Sequence, residues 1–290
     1  MLKIGFIGLG NMGAKMATNL LKANYEVMGY DINEGFIDKL LPKGIKKAFS
    51  LNDIPKDSDI IITMLPNGEI VETVYDSIIN NFTKNTLFTD CSTIDVNKAK
   101  DLHKKCSKND LLSLDAPVSG GIGGAEAGSL TFMVGGSNDA YKKMLPLFQV
   151  MGNKSVLCGP PSSGQATKAC NNMLLATTMI GVGETLSLGN NLGLDPKKLF
   201  EILSTSTGSC WAVNNYFPIE GIGPKSPADN NFEPGFSGNL MLKDLTIALK
   251  AIKETNTSAP FGTKSQENFK RMVDHNRGKL DFSAIVNFNK

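Results

Sequence analysis

Leu2-Lys3-Ile4-Gly5-Phe6-Ile7-Gly8-Leu9-Gly10-Asn11-Met12-Gly13 is the stretch whose reading decides the fold. Residues 2–8 are a short β-rich apolar run, and a glycine triplet at the spacing Gly-x-Gly-x-x-Gly ends it. Residues 14–23 then carry Met16, Ala17, Leu20 and Leu21 at helical spacing. A second apolar run, 25–30, ends at Asp31. The glycine pattern alone says little, but between a strand and a helix each part has a mechanical task. Gly8 permits a tight turn. Gly10 lets a pyrophosphate approach the backbone. Gly13 lets helix and strand pack closely, with the helix N-terminus facing the phosphates. Asp31 stands 18 residues beyond Gly13, where a carboxylate takes the ribose hydroxyls of a dinucleotide. Its charge repels a 2′-phosphate, and Ile32-Asn33-Glu34 offers no basic partner, so NAD is expected over NADP. The plain alternative for Asp31 is a turn or cap residue.

Outward from this stretch the alternation continues. Strands are expected at 59–65, 86–90, 111–115, 131–135 and 154–158, and helices at 69–81, 96–106 and 138–150. Strands alternating with helices give a doubly wound parallel sheet, which binds ligands beyond the carboxyl ends of its strands. Leu65-Pro66 and Ser92-Thr93 lie at such ends and are candidate cofactor contacts. Ser119-Gly120-Gly121, after a strand end and Pro117, offers successive free amides and a hydroxyl, a nest for an anion. The only arginines are Arg271 and Arg277, so an anion bound by residues upstream of these needs backbone amides, hydroxyls or lysine. A flexible glycine-rich turn is the competing reading.

Gly159-Pro160-Pro161-Ser162-Ser163-Gly164 is the strongest punctuation in the chain. It divides an N-terminal Rossmann-type α/β domain, 1–163, from a C-terminal all-helical domain, 164–290. The second domain opens on one apolar, proline-free run, 165–191, expected as a buried helix long enough to bridge two domains. Lys168 is the only charged residue between Lys154 and Glu184. Asn172 follows four residues later on the same helical face. A lysine inside an apolar helix is costly unless it is used. Desolvation draws an amine toward its neutral form, which suits proton transfer. Snorkelling from a wet edge is the alternative. Further helices are expected at 195–203, 239–254 and 260–276. The last-but-one is expected to bury Leu242, Leu245, Ala248, Leu249 and Ile252, with Lys243 and Lys250 off that face; a solvated surface stripe is the plain alternative for Lys243. Residues 208–238 are irregular and hold Trp211, Tyr216, Phe217, Phe232 and Phe236, a candidate wall of the active site.

Composition narrows the function classes. The 290 residues carry a formal net charge of +2 with scattered lysines, which argues for neither nucleic acid nor a membrane surface. Five widely spaced cysteines and two histidines make no metal-ligand pattern, so no metal is expected and a reducing compartment is. No apolar run reads as a membrane span, and no presequence is visible at the start of the chain.

Four motifs together make the chain resemble the β-hydroxyacid dehydrogenases, within them the 3-hydroxyisobutyrate branch, over nearly its whole length. They are Gly8-Leu9-Gly10-Asn11-Met12-Gly13, Asp115-Ala116-Pro117-Val118-Ser119-Gly120-Gly121, Gly164 through Lys168 to Asn172, and Gly235-Phe236-Ser237-Gly238-Asn239-Leu240-Met241-Leu242-Lys243-Asp244-Leu245. Gly208-Ser209-Cys210-Trp211 points to the hydroxyisobutyrate branch less specifically. The resemblance implies Lys168 as the catalytic lysine, with Asn172 orienting the substrate beside it. It implies Ser119, Gly120 and Gly121 as holders of the substrate carboxylate, and Leu65, Pro66, Thr93 and Lys243 as cofactor residues beside the glycine loop and Asp31. It implies NAD-dependent oxidation of 3-hydroxyisobutyrate to methylmalonate semialdehyde in valine breakdown, in a homodimer or homotetramer. The compartment is cytoplasmic for a bacterial source and the mitochondrial matrix for a eukaryotic one. Two other readings stand beside it: a reductase of a short semialdehyde or glyoxylate, and a non-catalytic nucleotide-sensing module.

Overall fold

The structure is a computed structural model that describes residues 2–288. Two compact units divide the chain, Met1–Lys168 and Ala169–Lys290.

The first unit is built from β1 (Lys3–Ile7), α1 (Gly13–Lys22), β2 (Glu26–Tyr30), α2 (Glu34–Asp38), β3 (Lys46–Lys47), β4 (Ile60–Thr63), α3 (Gly68–Ile78), β5 (Leu87–Asp90), α4 (Val96–Lys108), β6 (Leu112–Asp115), β7 (Val118–Ser119), α5 (Gly121–Ala127), β8 (Leu130–Gly136), α6 (Asn138–Met151) and β9 (Gly152–Gly159). Among the described residues these strands form one nine-stranded sheet in the order β3-β2-β1-β4-β5-β6-β8-β7, with β9 also on β8. From β3 to β6 every pairing is parallel. The expected doubly wound parallel sheet is therefore present, with one local departure beyond β6, where β8 runs antiparallel to both β6 and β7 and parallel to β9. The reason is the connection. From β6 to β8 the chain passes through β7, which itself pairs antiparallel with β8, and the seven-residue α5, so the segment folds back on itself as a hairpin instead of making a full helical crossover. Residues 121–127, expected as part of a glycine-rich loop, are this helix.

The sheet is clothed on both faces. One core cluster holds Phe6, Met16, Leu20, Ile62, Phe132 and Phe148, and the other Ile61, Tyr75, Phe88 and Leu102. Neighbouring residues Ile61 and Ile62 belong to opposite clusters, as the two-residue period of a strand requires. Both are fully buried, which is why β4 reads as a continuous apolar run.

The second unit contains the rest of α7 (Ser163–Asn191), α8 (Pro196–Thr205), α9 (Trp211–Asn214), α10 (Gly238–Glu254) and α11 (Pro260–Asp274). Among its described residues it contains no named strand. Its core centres on Met179, Phe217, Met241, Leu245, Phe269, Met272 and Phe282. α10 buries Met241, Asp244, Leu245 and Ala248, a face rotated from the expected one so that a carboxylate lies inside it. α7 is a single helix, but it is not buried throughout. Leu174 and Leu188 are 64% and 60% exposed, because a helix apolar on all sides covers only the sides that meet a neighbour.

Candidate functional site

Register lines up the carboxyl ends of four strands. Ile7 pairs with Thr63, Thr63 with Asp90, and Asp90 with Asp115. The loops that leave this edge carry the cofactor candidates: Gly8 to Gly13 after β1, Leu65-Pro66 after β4 and Thr93 after β5. The strand order reverses direction of growth between β1 and β4, the place where doubly wound sheets hold a dinucleotide.

The glycine loop is shaped by contact. Gly8 has φ +93°, and its N–H donates to Tyr30 O at 2.9 Å. A Cβ on Gly13 would stand 2.0 Å from Gly8 O, so the start of α1 reaches the turn only without a side chain. A Cβ on Gly10 would enter open space, which leaves room for a ligand against the backbone. α1 has no side-chain cap and no acidic residue in its first turn. In contrast α3, α4 and α6 are capped by Asn67, Asp95 and Ser137. Uncapped N–H groups at a helix N-terminus suit a phosphate, so the loop formed by Gly8, Leu9, Gly10, Asn11, Met12 and Gly13 fits a dinucleotide pyrophosphate. Asp31 lies beside it. Its Oδ2 accepts from Leu9 N at 2.7 Å and its Oδ1 from Asn33 N at 2.8 Å.

The neighbouring loops are tied to a buried carboxyl. Asp90 Oδ1 accepts from Thr63 Oγ1 at 2.8 Å, Ser92 Oγ at 2.6 Å and Ser92 N at 3.1 Å. Ser92 Oγ in turn accepts from Leu65 N at 2.8 Å. Asp90 Oδ2 is buried without a hydrogen-bond partner. Burial pushes the Asp90 carboxyl up to about 6, against the hydrogen bonds that stabilise its charged form.

Lys168 is 7% exposed, and its Nζ donates to Val118 O at 2.7 Å. Val118 immediately precedes Ser119-Gly120-Gly121, so the amine is anchored at the mouth of the candidate anion nest. Gly120 and Gly121 have φ +131° and +62°, values that favour glycine in this turn. The snorkelling alternative does not describe this buried lysine.

What holds the lysine in place is the first turn of α7. Asp115 Oδ1 accepts from Ser162 N at 2.8 Å and Asp115 Oδ2 from Gln165 N at 2.8 Å, a helix cap supplied from a strand end. His103 Nε2 lies 2.9 Å from Asp115 Oδ1, with its Nδ1 2.6 Å from Ser113 Oγ. Gly164 has no Cβ to spare, since one would meet Met133 O at 2.4 Å and Asp115 O at 2.5 Å. These bonds explain why the first compact unit extends into α7 as far as Lys168.

Asn172 belongs to the second unit, one turn along the same helix. It is 1% exposed, its Nδ2 donates to Asp244 Oδ2 at 2.5 Å, and its Oδ1 accepts from Asn171 Nδ2 at 2.9 Å. Asp244 is 3% exposed, and its Oδ1 lies 3.4 Å from Lys243 Nζ without forming a directed hydrogen bond. Lys243, 30% exposed, therefore joins Asn172 and Asp244 in a polar cluster at the edge of α10. The aromatic residues of 208–238 are divided in role. Phe217 is core, whereas Trp211 is 51% exposed and stacks on Tyr216 at 4.9 Å. Tyr216 Oη donates to the buried Asp281 Oδ2 at 3.1 Å.

The supporting residues Asp115, Gln165 and Asp244 stand inside the quoted motifs, yet sequence reasoning assigned them no role. A carboxylate at a strand end before Ala-Pro, and another within a helix face, were the available signals. His103 had none beyond its rarity. Among the described residues no group of three or more His, Cys, Asp or Glu could hold a metal ion, and no helix is long and apolar enough to cross a membrane.

A mostly parallel sheet with a nucleotide-shaped glycine loop, followed by helices that open on a buried lysine, is the build of a nicotinamide-dependent oxidoreductase. Comparison with known proteins narrows the class. Residues 3–159 match the family described as the NAD binding domain of 6-phosphogluconate dehydrogenase, and residues 162–289 that described as NAD-binding of NADP-dependent 3-hydroxyisobutyrate dehydrogenase. The mitochondrial 3-hydroxyisobutyrate dehydrogenase of Drosophila melanogaster is 42% identical, over 99% of this chain and 89% of its own. The NAD-dependent L-serine dehydrogenase of Pseudomonas aeruginosa is 41% identical, over 98% of this chain and 97% of its own. A solved structure of Mycobacterium tuberculosis 3-hydroxyisobutyrate dehydrogenase with L-serine superposes with a TM-score of 0.95 at 40% identity, covering 99% of both chains. The chain belongs to the 3-hydroxyisobutyrate dehydrogenase family of β-hydroxyacid dehydrogenases. It is an NAD-dependent 3-hydroxyacid dehydrogenase.

Proposed function

We propose that the chain oxidises 3-hydroxyisobutyrate to methylmalonate semialdehyde in valine breakdown, with Lys168 as the general base. The observation that carries the lysine's role is its burial at 7% exposure with Nζ 2.7 Å from Val118 O, next to the amides of the candidate nest. Ser119 and the backbone of Gly120 and Gly121 hold the substrate carboxylate. Lys168, in its neutral form, takes the hydroxyl proton of the bound β-hydroxyacid on Nζ. Asn172 retains a second N–H on Nδ2 beyond the one given to Asp244, and directs it to the same oxygen. Asp244 orients that amide. NAD, when bound, supplies the acceptor for the hydride that leaves the carbinol carbon. Gly8, Leu9, Gly10, Asn11, Met12, Gly13, Asp31, Leu65, Pro66, Thr93 and Lys243 are the residues that hold it. The active form is a homodimer or homotetramer.

A second substrate, L-serine, is favoured by the name of the Pseudomonas relative and by the amino acid in the mycobacterial structure. Initial rates of NAD reduction with 3-hydroxyisobutyrate, 3-hydroxypropionate, L-serine, glycerate and 4-hydroxybutyrate separate these readings, with NADP run alongside. The methyl group of 3-hydroxyisobutyrate is expected to raise kcat/KM about tenfold or more over 3-hydroxypropionate, the usual worth of a methyl in an apolar pocket. A lead for L-serine, or for NADP, refutes the specific assignment. Lys168→Ala is expected to lower turnover at least ~10²-fold, as loss of an acid–base group does. Near-normal activity of that variant removes the lysine from the mechanism.

A further inference from the structure

Gln165 is 1% exposed in the first turn of α7, three residues before Lys168. Its side-chain amide uses both ends on one segment. Nε2 donates to Ser92 O at 2.8 Å, and Oε1 accepts from Ile94 N at 3.1 Å. The two backbone groups flank Thr93, so the amide grips this loop as a neighbouring strand would. The backbone N–H of Gln165 donates to Asp115 Oδ2 at 2.8 Å, which fixes the residue from its other side. The grip extends further. Ser92 is bonded through its Oγ to Leu65 N and to Asp90, so two loops of the sheet edge hang on one side chain of the lysine-bearing helix turn.

We propose that Gln165 is a positioning residue that couples the cofactor loops Leu65-Pro66 and Ser92–Ile94 to Lys168. Order that NAD imposes on the loops reaches the helix turn that carries the lysine, and a correctly set lysine turn prepares the loops for NAD. The coupling is reciprocal because both directions use the same bonds. It rests on the reading of Lys168 as the base, but half of it concerns cofactor affinity alone.

The test is Gln165→Met, which keeps length and apolar volume and removes both hydrogen bonds. NAD affinity is measured by calorimetry without substrate, and kcat and substrate KM at saturating NAD. Two buried backbone groups lose their partner, so NAD is expected to bind about tenfold more weakly and kcat to fall about tenfold, with substrate KM within about twofold. A general loss of packing would not split kcat from KM in this way. Ser92→Ala cuts the same path one bond further out and leaves α7 intact. It is expected to lower kcat at saturating NAD as well, and the double variant to be no worse than the more impaired single one, because a path already cut cannot be cut twice. Wild-type NAD affinity and kcat in Gln165→Met overturn the proposal, as do effects that multiply in the double variant. If Gln165→Met does not fold, an unchanged kcat in Ser92→Ala overturns it instead. Lys168→Ala separates this from a failure of the base assignment. It is expected to bind NAD as the wild type does, and if it stays active the base reading fails whatever Gln165 does to cofactor affinity.

Discussion

Asp90→Asn is expected to change how the stability of the protein depends on pH, and the structure gives sign and size. The Asp90 carboxyl is 3% exposed and is hydrogen-bonded to the loop that leaves β5. Oδ1 is held by three hydrogen bonds from Thr63 and Ser92, which favour the charged form, while burial disfavours it more strongly and the nearby Asp115 adds to the effect. The balance raises the group from 3.8 to about 6. Between those two values the folded chain keeps a proton that the unfolded chain has released. Stability therefore falls as pH rises through this window and levels off above it. A shift of about two units is worth roughly 3 kcal/mol at about 1.4 kcal/mol per unit. Asparagine is neutral throughout and contributes no such slope. Urea denaturation of the wild type and of Asp90→Asn, at steps from about pH 4 to about pH 7.5, isolates the group, because all other titrations cancel in the difference. The wild type is expected to lose roughly 2 kcal/mol of this relative to the variant between about pH 4 and about pH 7.5, mostly below about pH 6. A difference that is flat, or that grows in favour of the wild type as pH rises, refutes the balance of burial over hydrogen bonding.

Two further substitutions test other parts of the molecule. Asp31→Ala removes the acceptor of Leu9 N and Asn33 N and the negative charge beside the glycine loop. KM for NAD is expected to rise about tenfold or more, the worth of a charged hydrogen bond, with a smaller change for NADP. An unchanged ratio of the two KM values speaks against Asp31 as the selector. Tyr216→Phe removes the hydroxyl that donates to Asp281 Oδ2 at 3.1 Å while Gly235 N and Phe236 N still donate to that atom. A loss of about 1 kcal/mol in urea denaturation is expected, because the carboxylate stays bonded. A loss several times larger means that the tyrosine stack on Trp211 and Phe282 is disturbed as well.

Much of the first unit was legible from the chain because its signals are local. The strand–glycine–helix–acid pattern lies within Lys3 to Asp31, and the continuous apolar run at Ile60–Ile62 is what burial on both faces demands. The expected strands at 25–30, 86–90 and 111–115 lie within a residue of β2, β5 and β6 at their ends. The short pieces α2, β3 and β7 escaped notice because five, two and two residues are too few to display a period. The glycines of 120–124 read as a loop because glycine propensity disfavours a helix, and packing of Ala125 into the core outweighed it.

The sequence by itself determined the class of the protein. It set the nucleotide-binding crossover, the acid that follows the second strand and the single lysine in an apolar helix, since each depends on neighbours within a few tens of residues. The tertiary structure alone decided how those residues are held. Asp115 meets Ser162 across 47 positions, Gln165 meets Ser92 across 73 and Asn172 meets Asp244 across 72. It also decided the antiparallel turn of the sheet at β8. Hydrogen bonds of buried polar groups must be satisfied by whatever lies beside them in space, and no local period records which distant residue that is.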